Sequence, residues 1–260
     1  MKSKLLLLIM TILFSNTFSQ LVTWNPVFAT ANDSIVVVFD ATQGNRGLQG
    51  FTGDVYAHTG VITNLSTSNT DWRYVKTSWG QNTPETMLER IGTDLYRIVI
   101  RPSVRSFYNV NPAETILQIA FVFRSALPPY REGKTADGGD IFVPLAAAGL
   151  NVAITSPIER PLIRILNDNI NIQVSSVNST NLALFDGTTL LTQTTGTALS
   201  FNYVASTHGK KIIRAVATGT GGATRTDSFA LVIRPPVTVQ ALPAGMRDGV
   251  NYTSVVTATL

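Results

Sequence analysis

The chain has 260 residues, of which 44% are hydrophobic and 14% charged, with no cysteine and two histidines. This balance excludes a disordered chain, and the missing cysteine excludes disulfides, thiolate metal sites and lipid attachment at a cysteine after a signal peptide. The formal charge of +4 falls to +2 when the two lysines of the N-terminal segment are set aside. The other basic residues are scattered singly, so the concentrated basic face that nucleic acid requires is excluded as well.

Residues 1–20 read as a signal peptide. Lys2 and Lys4 precede the apolar run Leu5 to Phe14, and a polar exit follows with Thr17 and Ser19, so cleavage is expected after Ser19 or Gln20. The apolar run is too short to be a membrane span, which needs about 20 residues. The expected product is secreted, extracellular or at the cell surface, with the periplasm also open, and is not a lipoprotein.

The first block, residues 21–146, reads as short strands. Leu21 to Trp24 alternates and stops at Asn25-Pro26, a turn signal. Ile35 to Phe39 is β-branched and aromatic enough to predict a strand buried on both faces. Gly44, Gly47 and Gly50 are spaced three apart, but a phosphate cradle needs a helix directly after its glycines. Phe51 to Asp54 offers no helical start, so these are turn glycines. Val55 to Ile62 is the next strand, followed by a polar loop over 64–71. Trp72 to Trp79 then alternates as a strand would, and period two puts Trp72 and Tyr74 on one face. Thr86 to Arg90 and Leu95 to Ile100 are read as a hairpin through Gly92-Thr93-Asp94. Pro102 to Tyr108 is a short helical turn or loop. Thr115 to Arg124 is a strongly apolar strand, and Ile141 to Val143 closes the block.

The second block, residues 150–235, follows a small-residue joint from Leu145 to Gly149. Its strand signals are close together, with Asp186-Gly187 between apolar runs as a hairpin turn and long strands on either side of Gly219 to Gly222. Seven or so strands in that length predict an immunoglobulin-like sandwich. Residues 236–260 are too few to bury a core alone and read as the start of a truncated third sandwich. The fold class expected is therefore all-β, built of tandem β-sandwiches.

Several stretches carry a family resemblance. Trp24, the run Val55 to Thr63, the run Trp72 to Gly80, and Ile119 to Ser125 followed by Gly138 to Val143 resemble the N-terminal β-sandwich found ahead of the catalytic barrel in secreted α-amylase-family enzymes of Bacteroidetes-type bacteria. More loosely they are similar to starch-binding modules. The second block resembles bacterial immunoglobulin-like spacers, and Pro243, Gly245 and Gly249 to Tyr252 resemble the opening of the sandwich that precedes the barrel. The resemblance implies an exported, non-catalytic accessory region whose partners are an α-glucan and a C-terminal catalytic domain of the same polypeptide. In such an enzyme a carboxylate pair on the barrel would cleave the glucan. No nucleic acid, no membrane span and no catalytic residue is expected in this chain.

Sugar binding would fall to Trp72, Tyr74 and Trp79. A pyranose presents an apolar face of C–H bonds that stacks on indole or phenol, while its hydroxyls take polar partners. Trp72 and Trp79 are read either as this platform or as core rings, and Trp24 and Tyr96 as core. His58 is expected to be structural, because two histidines cannot build a histidine metal site. Asp137 and Asp140 are oxygen donors of the kind Ca²⁺ takes, but their glycine loop reads first as a solvated turn. Glu85, Glu89 and Asp94 lie on strands and turns with nothing to pair them over a sugar. The same residues leave two other readings open. One is a cell-surface adhesin or interaction protein built of immunoglobulin-like modules, and the other a self-contained carbohydrate-binding protein.

Overall fold

The computed structural model describes residues 20–236, so the expected signal peptide and third sandwich lie outside the described residues. The chain divides between Ala146 and Ala147 into two compact units. Both are β-sandwiches.

In the first unit the strands are β1 (Val22–Asn25), β2 (Ile35–Asp40), β3 (Val55–Thr63), β4 (Glu89–Gly92), β5 (Leu95–Ile100), β6 (Ile116–Ser125), β7 (Glu132–Gly133) and β8 (Ile141–Pro144). One five-residue helix, α1 (Val104–Tyr108), sits before β6, where Ser103 caps it by accepting from the Ser106 amide. One sheet has the order β1-β2-β5-β4; the other has the order β3-β6-β7, with β8 also paired to β6. Alternation decides what faces inward. On β2 it is Ile35, Val37 and Phe39, and on β5 their register partners Ile100, Ile98 and Tyr96. From the other sheet Ala57, Phe121 and Phe123 meet them, and the Phe39 and Phe123 rings lie 4.5 Å apart across the core.

Three expectations need correction here. The strand Ile35 to Phe39 buries one face and not two, because Val36 and Val38 point outward and stay partly exposed. The segment Trp72 to Trp79 is not a strand. Tyr74 has φ +52°, in the left-handed region, and this breaks the alternation and sends Trp72 and Tyr74 to different places. In addition, Pro84–Thr86 forms a turn of 3-10 helix, so the hairpin begins only at Glu89.

The second unit contains β9 (Asn151–Ser156), β10 (Leu162–Ile165), β11 (Asn169–Val177), β12 (Ser179–Asp186), β13 (Thr189–Thr194), β14 (Ala198–Val204), β15 (Gly209–Gly219) and β16 (Thr224–Arg234). Its larger sheet has the order β10-β16-β15-β12-β13, with β10 parallel to β16; its smaller sheet is β14-β11-β9. Leu182, Leu184, Ile213 and Leu231 pack from the first against Ile170, Ile172 and Val174 from the second. The Asp186-Gly187 turn joins β12 to β13, with Gly187 at φ +59°, a conformation that glycine adopts without strain.

Candidate functional site

The outward face of the β3–β6 sheet carries the chemistry of the first unit. Inward positions of β3 alternate with Tyr56 and His58, and register places Tyr56 opposite Arg124 and His58 opposite Val122 on β6. A bare sheet would leave these residues in water. Instead the chain from Asn64 to Asn82 folds back along β3, whose outer edge pairs with no other strand among the described residues.

Backbone hydrogen bonds hold that segment to the edge. Arg73 and Val61 exchange both amide bonds, at 2.8 and 2.9 Å, and the Lys76 amide donates to Thr59 O at 2.9 Å. Pairing the edge in this way also removes a free row of donors and acceptors. Gly60 permits the close approach, because a Cβ there would lie 3.0 Å from Arg73 O and 3.1 Å from Val75 Cγ2.

Glu114 anchors the segment from beneath. Its carboxylate accepts from Tyr74 Oη at 2.6 Å, from Thr63 Oγ1 at 2.8 Å and from Arg73 Nε and Nη2 at 3.1 and 3.2 Å. The Tyr74 hydroxyl first, then Arg73, hold its pKa at about 2, against the usual 4.5. Tyr74 is thus committed to an anchor and does not stand beside Trp72 as a second ring of a platform.

Trp72 and Trp79 do come together. Both line a groove of about 350 Å³, with His58, Thr70, Lys134 and Asp140 also on its walls. The Trp72 indole stacks on the His58 ring at 5.7 Å and 24°, and its Nε1 donates to Asn69 O. The Trp79 indole meets His58 edge-on at 5.2 Å and 79° and Tyr130 edge-on at 5.8 Å. The two indoles are therefore steeply inclined to each other, as walls and not as a flat table. Trp79 is 46% exposed. Neither Trp72 nor Trp79 belongs to the core, whereas Tyr96 is buried and Trp24 packs partly against the core.

Burial lowers the pKa of His58, the nearby Arg124 charge lowers it further, and Asp140 opposes both. The imidazole is accordingly neutral at pH 7, and its buried Nδ1 has no hydrogen-bond partner among the described residues. Asp140 lines the groove, while Asp137 closes its own turn by accepting from Thr135 Oγ1 at 2.5 Å. Among the described residues no group of three or more His, Cys, Asp or Glu side chains could hold a metal.

Glu85 and Glu89 share a second groove of about 490 Å³ on the same unit, but Glu85 pairs with Lys76 at 3.1 Å and Glu89 with Arg97 at 2.6 Å. Asp94 accepts the Gly50 amide at 2.7 Å. Among the described residues no helix is long and apolar enough to cross a membrane.

Sequence reasoning missed Lys134 as a wall of the groove and gave His58 and Asp140 other roles. Strand alternation carries part of the missing signal: Tyr56, His58, Val122 and Arg124 all occupy the non-core positions of two paired strands.

No family model matches the chain, and no curated protein matches it. Solved structures give distant similarities. Fibronectin(III)-like modules of CbhA from Clostridium thermocellum are 18% identical, covering 32% of this chain and 94% of that one, with a TM-score of 0.29. The titin tandem immunoglobulin domains A164–A165 are 7% identical, covering 80% and 92%, with a TM-score of 0.28. A putative membrane-anchored protein from Corynebacterium diphtheriae is 12% identical, covering 86% and 55%, with a TM-score of 0.28. Similarity at this level carries no argument, and the sandwich architecture rests on the strand pairings described above. The resemblance to α-amylase-family accessory regions has no counterpart among these three.

Proposed function

We propose that the first unit is a glycan-binding module whose groove between Trp72 and Trp79 takes a pyranose of an α-glucan. On this reading the chain is the non-catalytic accessory region of an exported α-glucan-degrading enzyme. The observation that carries the proposal is that two indoles wall one open groove beside Thr70, Lys134 and Asp140. An indole face covers the C–H face of the sugar, and the hydroxyls at the ring's edge exchange hydrogen bonds with the polar walls. Tyr74 serves the groove indirectly, by tying the covering segment to Glu114. The choice of α-glucan comes from the family resemblance, and the second unit positions its neighbours.

Affinity electrophoresis in gels with and without soluble starch tests the proposal, with Trp72→Ala and Trp79→Ala beside the parent. Starch is expected to retard the parent, and each substitution to cost about ten- to hundredfold in affinity while the fold is kept, in line with about 1–3 kcal/mol for stacking on one aromatic ring. A parent that migrates equally in both gels would overturn the glucan reading and favour an interaction module without a sugar site.

A further inference from the structure

The least expected side chain in the first unit is Arg124. It is 0% exposed, the bulkiest of the fully buried side chains, and none of the acceptors it meets is a carboxylate. Arginine stays charged in proteins, so a guanidinium here has left water with no counter-ion among the described residues to offset the loss. Burial pushes its pKa down, as this setting requires.

The surroundings offset part of that cost, although Nε has no hydrogen-bond partner among the described residues. Nη2 donates to Gln81 O at 2.6 Å, and Nη1 to Asn82 Oδ1 at 2.9 Å and Ser125 O at 3.1 Å. Three rings complete the enclosure, with Tyr130, Tyr56 and Trp79 centred 5.3, 5.7 and 6.0 Å from the guanidinium carbon. Ring faces attract cations, and the attraction grows when water is excluded. Two of these partners, Gln81 and Asn82, lie two and three residues after Trp79 in the chain. Gly80, next to Trp79, has φ +84°, and a side chain there would overlap the Tyr130 hydroxyl.

Arg124 and the turn over 79–82 therefore depend on each other. If the turn lifts, Arg124 loses two acceptors and a ring; if Arg124 is lost, the turn loses the fork that fixes its carbonyl and amide. An apolar side chain could fill the same space without the desolvation cost, but it would hold the turn in no particular orientation.

We propose that Arg124 is the positioning residue of the groove, a buried cation that fixes the turn over residues 79–82 and with it the pitch of the Trp79 wall. Its effect on binding rests on the glycan reading above, whereas its effect on Trp79 does not.

The test uses the purified chain labelled with 5-fluorotryptophan, whose three tryptophans give three ¹⁹F resonances, with Trp79 assigned from Trp79→Phe. Arg124→Met, Arg124→Lys and Asn82→Ala are compared with the parent. The Trp79 resonance is expected to move toward the solvent-exposed position or broaden in all three, most in Arg124→Met, while that of Trp24 stays in place. Starch affinity at a temperature where the variants are folded is expected to fall roughly tenfold or more for Arg124→Met and less for Arg124→Lys, which keeps the charge but not the fork. An unchanged Trp79 resonance in folded variants, with only a lower melting midpoint, would overturn the proposal and leave Arg124 as filler. If Arg124→Met does not fold, Arg124→Lys decides by the same criterion, since it keeps the cation and gives up the fork to Gln81 and Asn82. If starch fails to retard the parent, the glycan reading falls and the Trp79 resonance alone decides the role of Arg124.

Discussion

The outward faces of the two sandwiches were built from the same rule and put to different use. On the smaller sheet of the second unit, β11 and β14 present Asn171, Gln173, Ser200 and Asn202 to water, joined by short side-chain hydrogen bonds such as Asn171 Nδ2 to Asn202 Oδ1 at 2.9 Å. On the β3–β6 sheet of the first unit, the equivalent outward positions hold Tyr56, His58, Val122 and Arg124, and a long connection lies along the edge and over them. The first face needs no partner because each polar group is solvated. The second would be costly if bare, because it exposes rings and would be costlier still if it buried a cation without acceptors. On the proposed reading a sandwich becomes a site when a loop is pinned over an outward face, and the pin is as necessary as the rings.

Glu114 is that pin, and its loss is expected to have the largest effect. Glu114→Ala removes the common acceptor of Arg73, Tyr74 and Thr63 and leaves a tyrosine hydroxyl and a guanidinium without it. Hydrogen exchange at the Arg73 and Lys76 amides is expected to accelerate by at least about tenfold, with the amides of β15 and β16 in the second unit as unchanged controls. Acid should act on the same bond set. The folded pKa of Glu114 is depressed to about 2 from 4.5, so its contribution is complete above pH 4.5 and is lost as pH falls toward 2. Asp33, lowered by the Thr30 amide and hydroxyl, and Asp137, lowered by the Thr135 hydroxyl, belong to the same unit and act in the same direction. The first unit should therefore lose midpoint temperature faster than the second in an acid titration, and Glu114→Gln should flatten its slope. Equal slopes for the two units would remove the distinction between a pinned and an unpinned face.

How much of this was legible in the sequence follows the same division. Where neighbours in the sheet are regular strands, local pattern suffices: Asp186-Gly187 marks its turn, and the alternation from Leu199 to Tyr203 marks β14. The covering segment misleads the same reasoning. Aromatics two apart at Trp72 and Tyr74 imitate a strand, yet the conformation is set by Glu114, some forty residues on, and by an edge that only the finished sheet defines. Periodicity reports on neighbours a few residues away and is blind to such anchors. The pairing of Trp72 with Trp79 was within reach as a list of candidate rings, but their inclination, the exclusion of Tyr74 and the buried Arg124 depend on contacts between distant stretches. Outward strand positions were the usable clue, since a buried face rarely explains an arginine placed between phenylalanine and serine on a central strand.

A smaller effect is expected at His58. Burial first, and then the Arg124 charge, hold its pKa below the ordinary 6.5, so the unfolded chain takes up a proton at higher pH than the folded one. Stability is therefore expected to fall as pH drops below 6.5 and to level off once the folded pKa is passed. The groups that face the imidazole are Arg124 and Asp140, with Lys134 on the same groove. Asp140→Asn removes the one that favours the charged form and should steepen the loss, whereas His58→Asn should abolish it. Unfolding midpoints measured between pH 7 and 5 check both, and a His58→Asn variant with the parent's slope would place the titrating group elsewhere.

The smallest effect is expected on the open face of the second unit, where a null result is the informative one. Asn171 is exposed, its partners Ser200, Asn202 and Gln173 lie on the same solvated ladder, and water can replace each bond that the side chain makes. Asn171→Ala should change stability by no more than about 0.5 kcal/mol, and Asn171→Thr should be neutral or slightly stabilising, because a β-branched side chain suits a strand better than asparagine does. Neither should alter migration in starch gels. The comparison depends on this prediction more than its size suggests. If Asn171→Ala weakened retardation while Trp72→Ala did not, the flat polar ladder would be the ligand face and the pinned loop of the first unit a device of stability alone.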